Sequence, residues 1–396
     1  MIFSLLLEPL IMPKLAVLSQ TFFLVLNIAT LLQICIAKSY NVGDFGAMAD
    51  GKTDSSSALS KAWAAACSSD YESTVLVPQG MFLVNSVSLY GPCKKKVHLR
   101  LLGNIVAPSY QSLSNHQSWI SFNNVDGLSF IGSGTIDAKG SSYWSCKKQQ
   151  RGCPYGARSF SLQGCNNVLV NGLKSFDSEG VHISINQCNN ITMQNLILTA
   201  PDDSPNTDGI HIGNSNFVSV LHSKIGTGDD CISIGPGTKN MWMDHIVCGP
   251  GHGISIGSID GTPREEGVED IEVKNSVFRN TDNGVRIKTW AKPSNATVMN
   301  VKFTNLVMKN VTNPIIIDQE YCPQSNCPKG SSGVKISNVN ISSVIGTSRN
   351  LQTLILDCSS TNPCQNIKLQ DINLVYSDKM KKTQRATSLF KHAYVN

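Results

Sequence analysis

From about residue 120 onward, apolar and polar positions alternate in short runs that restart again and again. NNVLVNGLKSFDSEGVHISI (166–185), NNITMQNLILTAPDDSPNTDGIHI (189–212) and NFVSVLHSKIGTGDDCISI (216–234) share one plan. NMWMDHIVCGPGHGISI (240–256), DIEVKNSVFRNTDNGVRIK (270–288), NVKFTNLVMKNVTNPIIID (300–318) and NIKLQDINLVYS (366–377) repeat it. Each unit has an Asn or Asp, a short alternating strand, a polar turn, a Gly and a second alternating strand. The period runs from 22 to 38 residues. Alternation every second residue is the signature of strands, and the wealth of Val, Ile, Thr and Asn excludes helical and leucine-rich repeats. A unit this short cannot bury its apolar side alone, so stacked neighbours must do it. The pattern therefore predicts an all-β chain: a single-stranded parallel β-helix, a solenoid with one coil per repeat. Ile210 and Ile212, Ile232 and Ile234, and Ile254 and Ile256 face its core. The recurrent Asn residues are placed to bond coil to coil in amide ladders.

Two segments break the pattern. DSSSALSKAWAAACSS (54–69) opens on an Asp and continues with helical apolar spacing, which predicts a short N-terminal helix capping the open end of the solenoid. SDKMKKTQRATSLFKHAYVN (377–396) is basic and lacks the repeat, so residues 378–396 are read as a loose tail. No linker interrupts 38–396, which reads as one domain. Ahead of it, Lys14 precedes the uncharged run LAVLSQTFFLVLNIATLLQICIA, which ends in Cys35-Ile36-Ala37. That predicts a signal peptide over 1–37, cleaved on secretion, with an uncleaved anchor as the rival reading.

Composition adds little beyond this. Of 396 residues only 15% are charged, and a net charge of +5 gives no case for a nucleic-acid partner. Thirteen cysteines suit an oxidising compartment; Cys35 leaves with the signal, and Cys322/Cys327, Cys358/Cys364 and Cys231/Cys248 are candidate disulfides. No CxxC pair or Cys/His cluster suggests zinc. Asn190, Asn295, Asn310 and Asn340 head N-x-S/T sequons, so a glycoprotein is expected.

The chemistry emerges when the second strands are aligned. Asp208 precedes GIHI, Asp230 precedes CISI and His252 precedes GISI, at intervals of 22 residues. Parallel strands lie ~4.8 Å apart, so the three form a column with Asp229 beside it. In the next unit, GVRIK, Arg286 and Lys288 alternate with core residues and face outward. Singly, each Asp is an ordinary turn residue. In register, crowded carboxylates force at least one pKa upward, giving a general acid beside ionised neighbours that can activate water. Clustered Asp is also how calcium is held, as in a lyase, but two cations alongside would repel the metal and suit anionic sugar carboxylates instead.

NTDG (206–209), GDDC (228–231), GHG (251–253) and RIK (286–288), in this order, resemble the four motifs of the polygalacturonases, the family 28 glycoside hydrolases. The resemblance extends from YNVGDFGA (40–47) through NPIIIDQEYC (313–322) to the C-terminal cysteines and is strongest to the plant enzymes. It implies a right-handed β-helix that hydrolyses α-1,4-galacturonan, the pectin backbone, with inversion and without cofactor or metal. By motif match, Asp229 is the general acid, Asp208 and Asp230 activate water, and His252 assists the acid. Arg286 and Lys288 hold substrate carboxylates, with Asn206 and Tyr321 as further contacts. Strand spacing alone places neighbouring carboxylates near the ~5–5.5 Å of retaining enzymes rather than the ~6.5–9.5 Å of inverting ones, and here the resemblance is followed. One local departure is Asp202, where relatives commonly carry Gly; it adds a charge near the cleft.

The expected protein is a secreted, extracellular cell-wall enzyme, a monomer whose partner is pectin and which meets no membrane after signal cleavage. Endo cleavage is the reading adopted, with exo action as the alternative. A calcium-dependent pectate lyase and an inactive pectin-binding wall protein are the remaining alternatives. Segments 141–158 and 258–268 are candidate walls of the cleft.

Overall fold

The computed structural model describes residues 38–396 apart from 114–115, 150–151, 260–264, 324–326, 329 and 378–382. The expected leader, 1–37, lies outside the described residues. Eleven strands, from Val87–Tyr90 to Thr387–Lys391, stack as one parallel sheet whose spatial order is the chain order. The coil winds right-handed. Ile183, Ile210, Ile232, Ile254, Val285 and Ile315 are register partners in successive strands, each no more than 1% exposed. The alternation read from the sequence is thus the inside and outside of this sheet. The other strands close the coil as further parallel ladders. In four later coils the strands Val268–Arg279, Thr297–Val311, Lys335–Ser348 and Cys364–Ser377 run unbroken round a corner. One apolar cluster fills the axis from Val42 to Leu374.

The corners are built by Asn. A left-handed backbone turns the chain sharply, and Asn bears that conformation better than most side chains. Asn167, Asn190, Asn240, Asp270, Asn300, Asn338 and Asn366 lie at φ between 51° and 58°, one to a coil, with Phe217 at 54° taking the position between Asn190 and Asn240. Their amides bond along the axis: Asn190 to Asn167 at 2.7 Å, Asn300 to Asp270 at 3.0 Å, Asn338 to Asn300 at 3.1 Å and Asn366 to Asn338 at 2.8 Å. A second file passes through Asn275 and Asn305, whose amides bond Asp244 at 2.9 Å and Asn275 at 2.7 Å. The expected ladders are present.

Helix Ser56–Cys67 lies over the first coils and buries Leu59, Ala62, Trp63 and Ala66. Trp63 Nε1 donates to the Tyr90 carbonyl at 3.0 Å, and a Cys67–Cys93 disulfide ties the helix end to the same region. Asp54, read as the cap, accepts from the Ser56 amide at 3.0 Å, one residue ahead of the helix boundary. The three expected disulfides form, joined by Cys146–Cys153 and Cys67–Cys93. Cys165 and Cys188 remain as buried thiols in adjacent coils.

The loose tail is a misreading. Thr387–Lys391 is the eleventh strand of the sheet, Ala393–Val395 pairs with Cys364–Ser377, and the Asn396 amide joins the ladder on Asn366 at 3.0 Å. The repeat was hidden because its inner positions are not aliphatic. Ser388 stands where the previous coil has Leu354, and Phe390 is 46% exposed.

The ladder yields a stability test. Asn305→Ala loses the bond to Asn275 and places a Cβ-bearing residue without a local polar partner at φ 54°. We expect a loss of about 2 kcal/mol, combining one hydrogen bond and left-handed strain. Asn305→Gly, free of the strain, loses less than Ala; denaturant unfolding of the two variants measures the difference. Equal losses would mean that the backbone conformation contributes nothing.

Candidate active site

Register creates the site. Because Ile210, Ile232, Ile254 and Val285 are paired, the positions two residues upstream, Asp208, Asp230, His252 and Asn283, form one file where the strands begin. Backbone bonds hold it: Gly209 N to Asp230 O at 2.9 Å, His252 N to Asp229 O at 2.8 Å, and Cys231 N to Gly253 O at 2.8 Å. Gly253 is required here. Its φ is 90°, and a Cβ would sit 2.2 Å from the Asn283 carbonyl oxygen. The loop bearing Asn206 and Asp208 is pinned from behind by Thr207 Oγ1, which accepts from Gly228 N at 2.9 Å and bonds Ser204 Oγ at 2.6 Å.

The carboxylates sit in three different environments. Asp230 is 1% exposed and accepts from Arg286 at 2.9 Å, Lys288 at 2.8 Å and Ser255 Oγ at 2.8 Å. Asp208 accepts from Ser233 Oγ at 2.7 Å. Burial pushes its pKa up to about 7, and the charges of Asp229 and Asp230 push the same way. Asp229 meets His252 Nδ1 at 3.0 Å and its neighbour's own amide, Asp230 N, at 2.7 Å. Burial raises the Asp229 carboxyl, but the His252 imidazole, the Asp230 amide and the Lys288 charge together outweigh it and hold the group below the ordinary carboxylate value. His252 is raised in turn, first by the hydrogen bond to Asp229. Its Nε2 lies 3.6 Å from Asp282, which Arg349 also contacts at 3.2 Å.

Each residue singled out by its motif therefore lies in one patch, but two are occupied differently from expectation. Arg286 and Lys288 face outward as read, yet both cationic heads are spent on Asp230, with side chains only 12% and 9% exposed. The alternation fixes which face a side chain takes, but its length lets it reach back across two coils to a buried carboxylate that would otherwise be unpaired. Tyr321 lies over both, 5.7 Å from Arg286 and 5.3 Å from Lys288, and edge-on to Trp290 at 5.4 Å. It covers the cations as well as facing the cleft. Asn206, exposed at φ 54°, offers its amide to Asp229 at 3.5 Å.

Sequence reading missed the residues between the motif isoleucines. His211, Ser233, Ser255 and Arg286 are register partners on the outer face. Ser233 donates to Asp208 and Ser255 to Asp230, and His211 Nδ1 bonds Ser233 at 2.8 Å. The signal was available in the central letter of IHI, ISI and ISI. Asn283 also belongs to the file; its amide holds the His252 carbonyl at 3.1 Å.

Asp229, Asp230 and His252 each offer a ligand atom within 4.8 Å of the others. Both Asp230 oxygens are already engaged by cations, and a divalent ion there would face two positive heads. The donor set does not fit calcium. Of the expected walls, 141–158 carries helix Ser141–Gln149, fastened by Trp144 Nε1 on the Ser178 carbonyl at 3.1 Å and by a Lys148–Asp203 ion pair. Within 258–268, residues 260–264 lie outside the described residues. Asp202 is exposed.

Asp208 gives a pH-dependent signature. A carboxyl moved from 3.8 to about 7 holds its proton more firmly when folded. The folded state therefore loses stability relative to the unfolded one as pH climbs between those values. Asp208→Asn removes that penalty. Its melting temperature should exceed the parent's by a few degrees near pH 7, and the gap should close toward pH 4, as calorimetry at several pH values will read. A gap independent of pH would refute the buried-charge account.

The chain matches Glycosyl hydrolases family 28 over residues 67–393. It is 45% identical over 359 residues to a polygalacturonase of Prunus persica, covering 90% of each chain. It is 42% identical over 342 residues to an exopolygalacturonase of Platanus acerifolia, covering 85% of this chain and 90% of that one. Among solved structures, an endo-xylogalacturonan hydrolase from Aspergillus tubingensis superposes with a TM-score of 0.75 at 22% identity, over 90% of this chain and 96% of that one. An exopolygalacturonase from Thermotoga maritima does so at 0.74 and 17% identity, over 90% of both chains, which shows a shared fold. With the family match spanning most of the described solenoid, the chain belongs to family 28 of the glycosyl hydrolases.

Proposed function

We propose that this protein is a polygalacturonase, hydrolysing the α-1,4 linkages of polygalacturonate in the plant cell wall. The observation that carries the reading is the patch of three carboxylates and an imidazole at the strand entrances, with Asp230 enclosed by Arg286 and Lys288 and Asp229 set against His252. Asp229 is the general acid, standing 20% exposed where a glycosidic oxygen can reach it. Its proton comes through His252, whose raised pKa keeps the imidazole charged at mildly acidic pH and whose Nδ1 touches Asp229. A bound uronate adds negative charge and raises the Asp229 carboxyl from its lowered position. Asp208 and Asp230 hold the attacking water: Asp230, paired with two cations, takes its proton, and Asp208, whose raised carboxyl keeps its own, positions it. The water enters from the other face of the sugar and inverts the anomeric carbon. Arg286 and Lys288 fix Asp230 and, with Tyr321, border the subsite for a substrate carboxylate; Asn206 contacts the same sugar.

The chain acts as one catalytic domain over 38–396, secreted after removal of 1–37. Five disulfides support an oxidising destination. Endo action is favoured by a polar cleft over the N-terminal coils of the same outer sheet face, lined by Ser88, Ser121, Ser161 and Ser184. Relatives carry both plain and exo names, so the cleft is the observation this preference rests on.

Purified protein on de-esterified polygalacturonate should release reducing ends without the ultraviolet absorbance of an unsaturated product, and chelator should leave the rate unchanged. Absorbance rising with reducing ends would mean elimination and remove Asp229 from its role. Mixed oligomers should appear early, and the new ends should be β-anomers when first seen by proton NMR. Asp229→Asn should lower kcat by roughly 10²–10⁴-fold with the melting curve retained. Near-normal turnover in that variant would sink the assignment.

A further inference from the structure

The outer face of the eleven-stranded sheet carries a file of hydroxyls. Ser88, Ser121, Ser161 and Ser184 are successive register partners, and the same file continues through His211, Ser233 and Ser255 to Arg286. Beside it runs a second file, Tyr90, Asn123, Gln163 and Asn186. Its amides are partly bonded among themselves, Asn186 to Gln163 at 3.0 Å, and Tyr90 at its head is 62% exposed. Hydroxyls, amides and an exposed aromatic ring are the groups that meet sugars. Over the first of these coils they line a cleft of about 230 Å³ that also includes Arg158.

Arg158 differs from the other cations of this face. Its strand pairing places it in the file of the catalytic positions: Phe160 pairs with Ile183 and Ile183 with Ile210, so Arg158 stands two strands before Asp208. That is roughly 10 Å by strand spacing, the reach of a short oligosaccharide. Its guanidinium is exposed and makes no hydrogen bond or ion pair among the described residues. The positions on either side of its backbone are fixed. Ala157 N donates to the buried Glu179 carboxylate at 2.9 Å, and Arg158 N donates to the Gln117 carbonyl at 3.0 Å. The guanidinium thus borders the cleft from an anchored backbone with no anionic partner among the described residues, whereas Arg286 and Lys288 are committed to Asp230.

We propose that Arg158 is the receptor for a uronate carboxylate about two strands from the cleavage point, and that the hydroxyl and amide files around it form a distal binding segment for the polymer. The segment rests on the polygalacturonate reading, since a free guanidinium selects an acidic saccharide over a neutral one. It contributes to affinity for long chains and leaves the bond-breaking groups untouched.

Full-length protein, Arg158→Gln and Arg158→Lys are compared by two readouts. The first is binding of hexagalacturonate and trigalacturonate by calorimetry, made in the Asp229→Asn background so that turnover does not interfere. The second is kcat and KM on both, in the active background. Arg158→Gln should weaken hexamer binding and raise its KM by about tenfold, with kcat and all trimer constants within twofold of the parent. Arg158→Lys should restore part of the loss. Equal hexamer affinities for parent and Arg158→Gln would overturn the proposal. So would a fall in kcat shared by trimer and hexamer, because the charge would then act on the catalytic carboxylates. A parent that binds hexamer but does not cleave it would refute the enzyme reading alone, since the binding comparison still judges Arg158. A parent that binds neither oligomer would overturn both.

Discussion

Everything in this molecule depends on the fixed register of parallel strands. One coil adds one strand, and each residue is stacked on its counterpart in the coil before. A solenoid of this kind has no freedom to slide, because a shift by one residue would turn every Ile of the core file into solvent and every outward polar residue inward. The same constraint that fills the axis with Ile183, Ile210, Ile232 and Ile254 also sets Asp208, Asp230 and His252 in a file. Catalytic geometry here is a by-product of core packing. The Asn corners serve it by making each coil turn at the same place, which is why a polar amide is kept at a backbone conformation that most residues resist.

The charge problem follows from the register. Stacking carboxylates in adjacent coils brings like charges close on a surface that is half buried. The structure resolves this by giving each one a different environment. Asp230 is enclosed and ion-paired twice, Asp229 is matched to an imidazole, and Asp208 keeps only a serine hydroxyl and so retains its proton to unusually high pH. A buried carboxylate with two cations is costly to disturb: removing either partner leaves an unbalanced charge, and such losses typically reach ~3–5 kcal/mol. Arg286 and Lys288 are thus structural for Asp230 before they can be anything to a substrate. The proton inventory belongs to the whole group, and the working acid is set by which negative charge arrives next.

Much of this could be read from the sequence, and the failures are instructive. The solenoid was legible because apolar alternation, Asn and Gly recur together, and three disulfides were legible because their cysteines lie close in the chain. The file of Asp208, Asp230 and His252 was legible because an isoleucine pair follows each at a constant offset. The last coil was not legible, since Phe390 and Ser388 occupy inner positions at an open end where burial no longer selects for aliphatic residues. The true partners of Arg286 and Lys288 escaped because a sequence fixes the face a long side chain leaves from and not the atom it reaches. Ser233 and Ser255 escaped for a simpler reason: a serine between two isoleucines looks like strand filler until its neighbours in space are known.

The distribution of cations makes a final point about specificity. A polyanionic substrate needs positive charge along its path, yet positive charge beside the catalytic carboxylates would hold them all ionised and remove the acid. The structure separates the two demands. Near the reaction point, Arg286 and Lys288 are bound to Asp230, so their field is largely cancelled by the carboxylate they enclose. The unpaired guanidinium, Arg158, is set two strands away, far enough to spare Asp229 and close enough to meet the same chain. Its nearest titratable effect is on His211, which burial first and Arg158 next keep below its ordinary value. His211 is therefore biased toward the neutral imidazole and serves as the hydrogen-bonding support of Ser233 and, through it, of Asp208. Burial is the larger influence on His211, so attraction for the polymer and protonation of the site are governed for the most part by different residues.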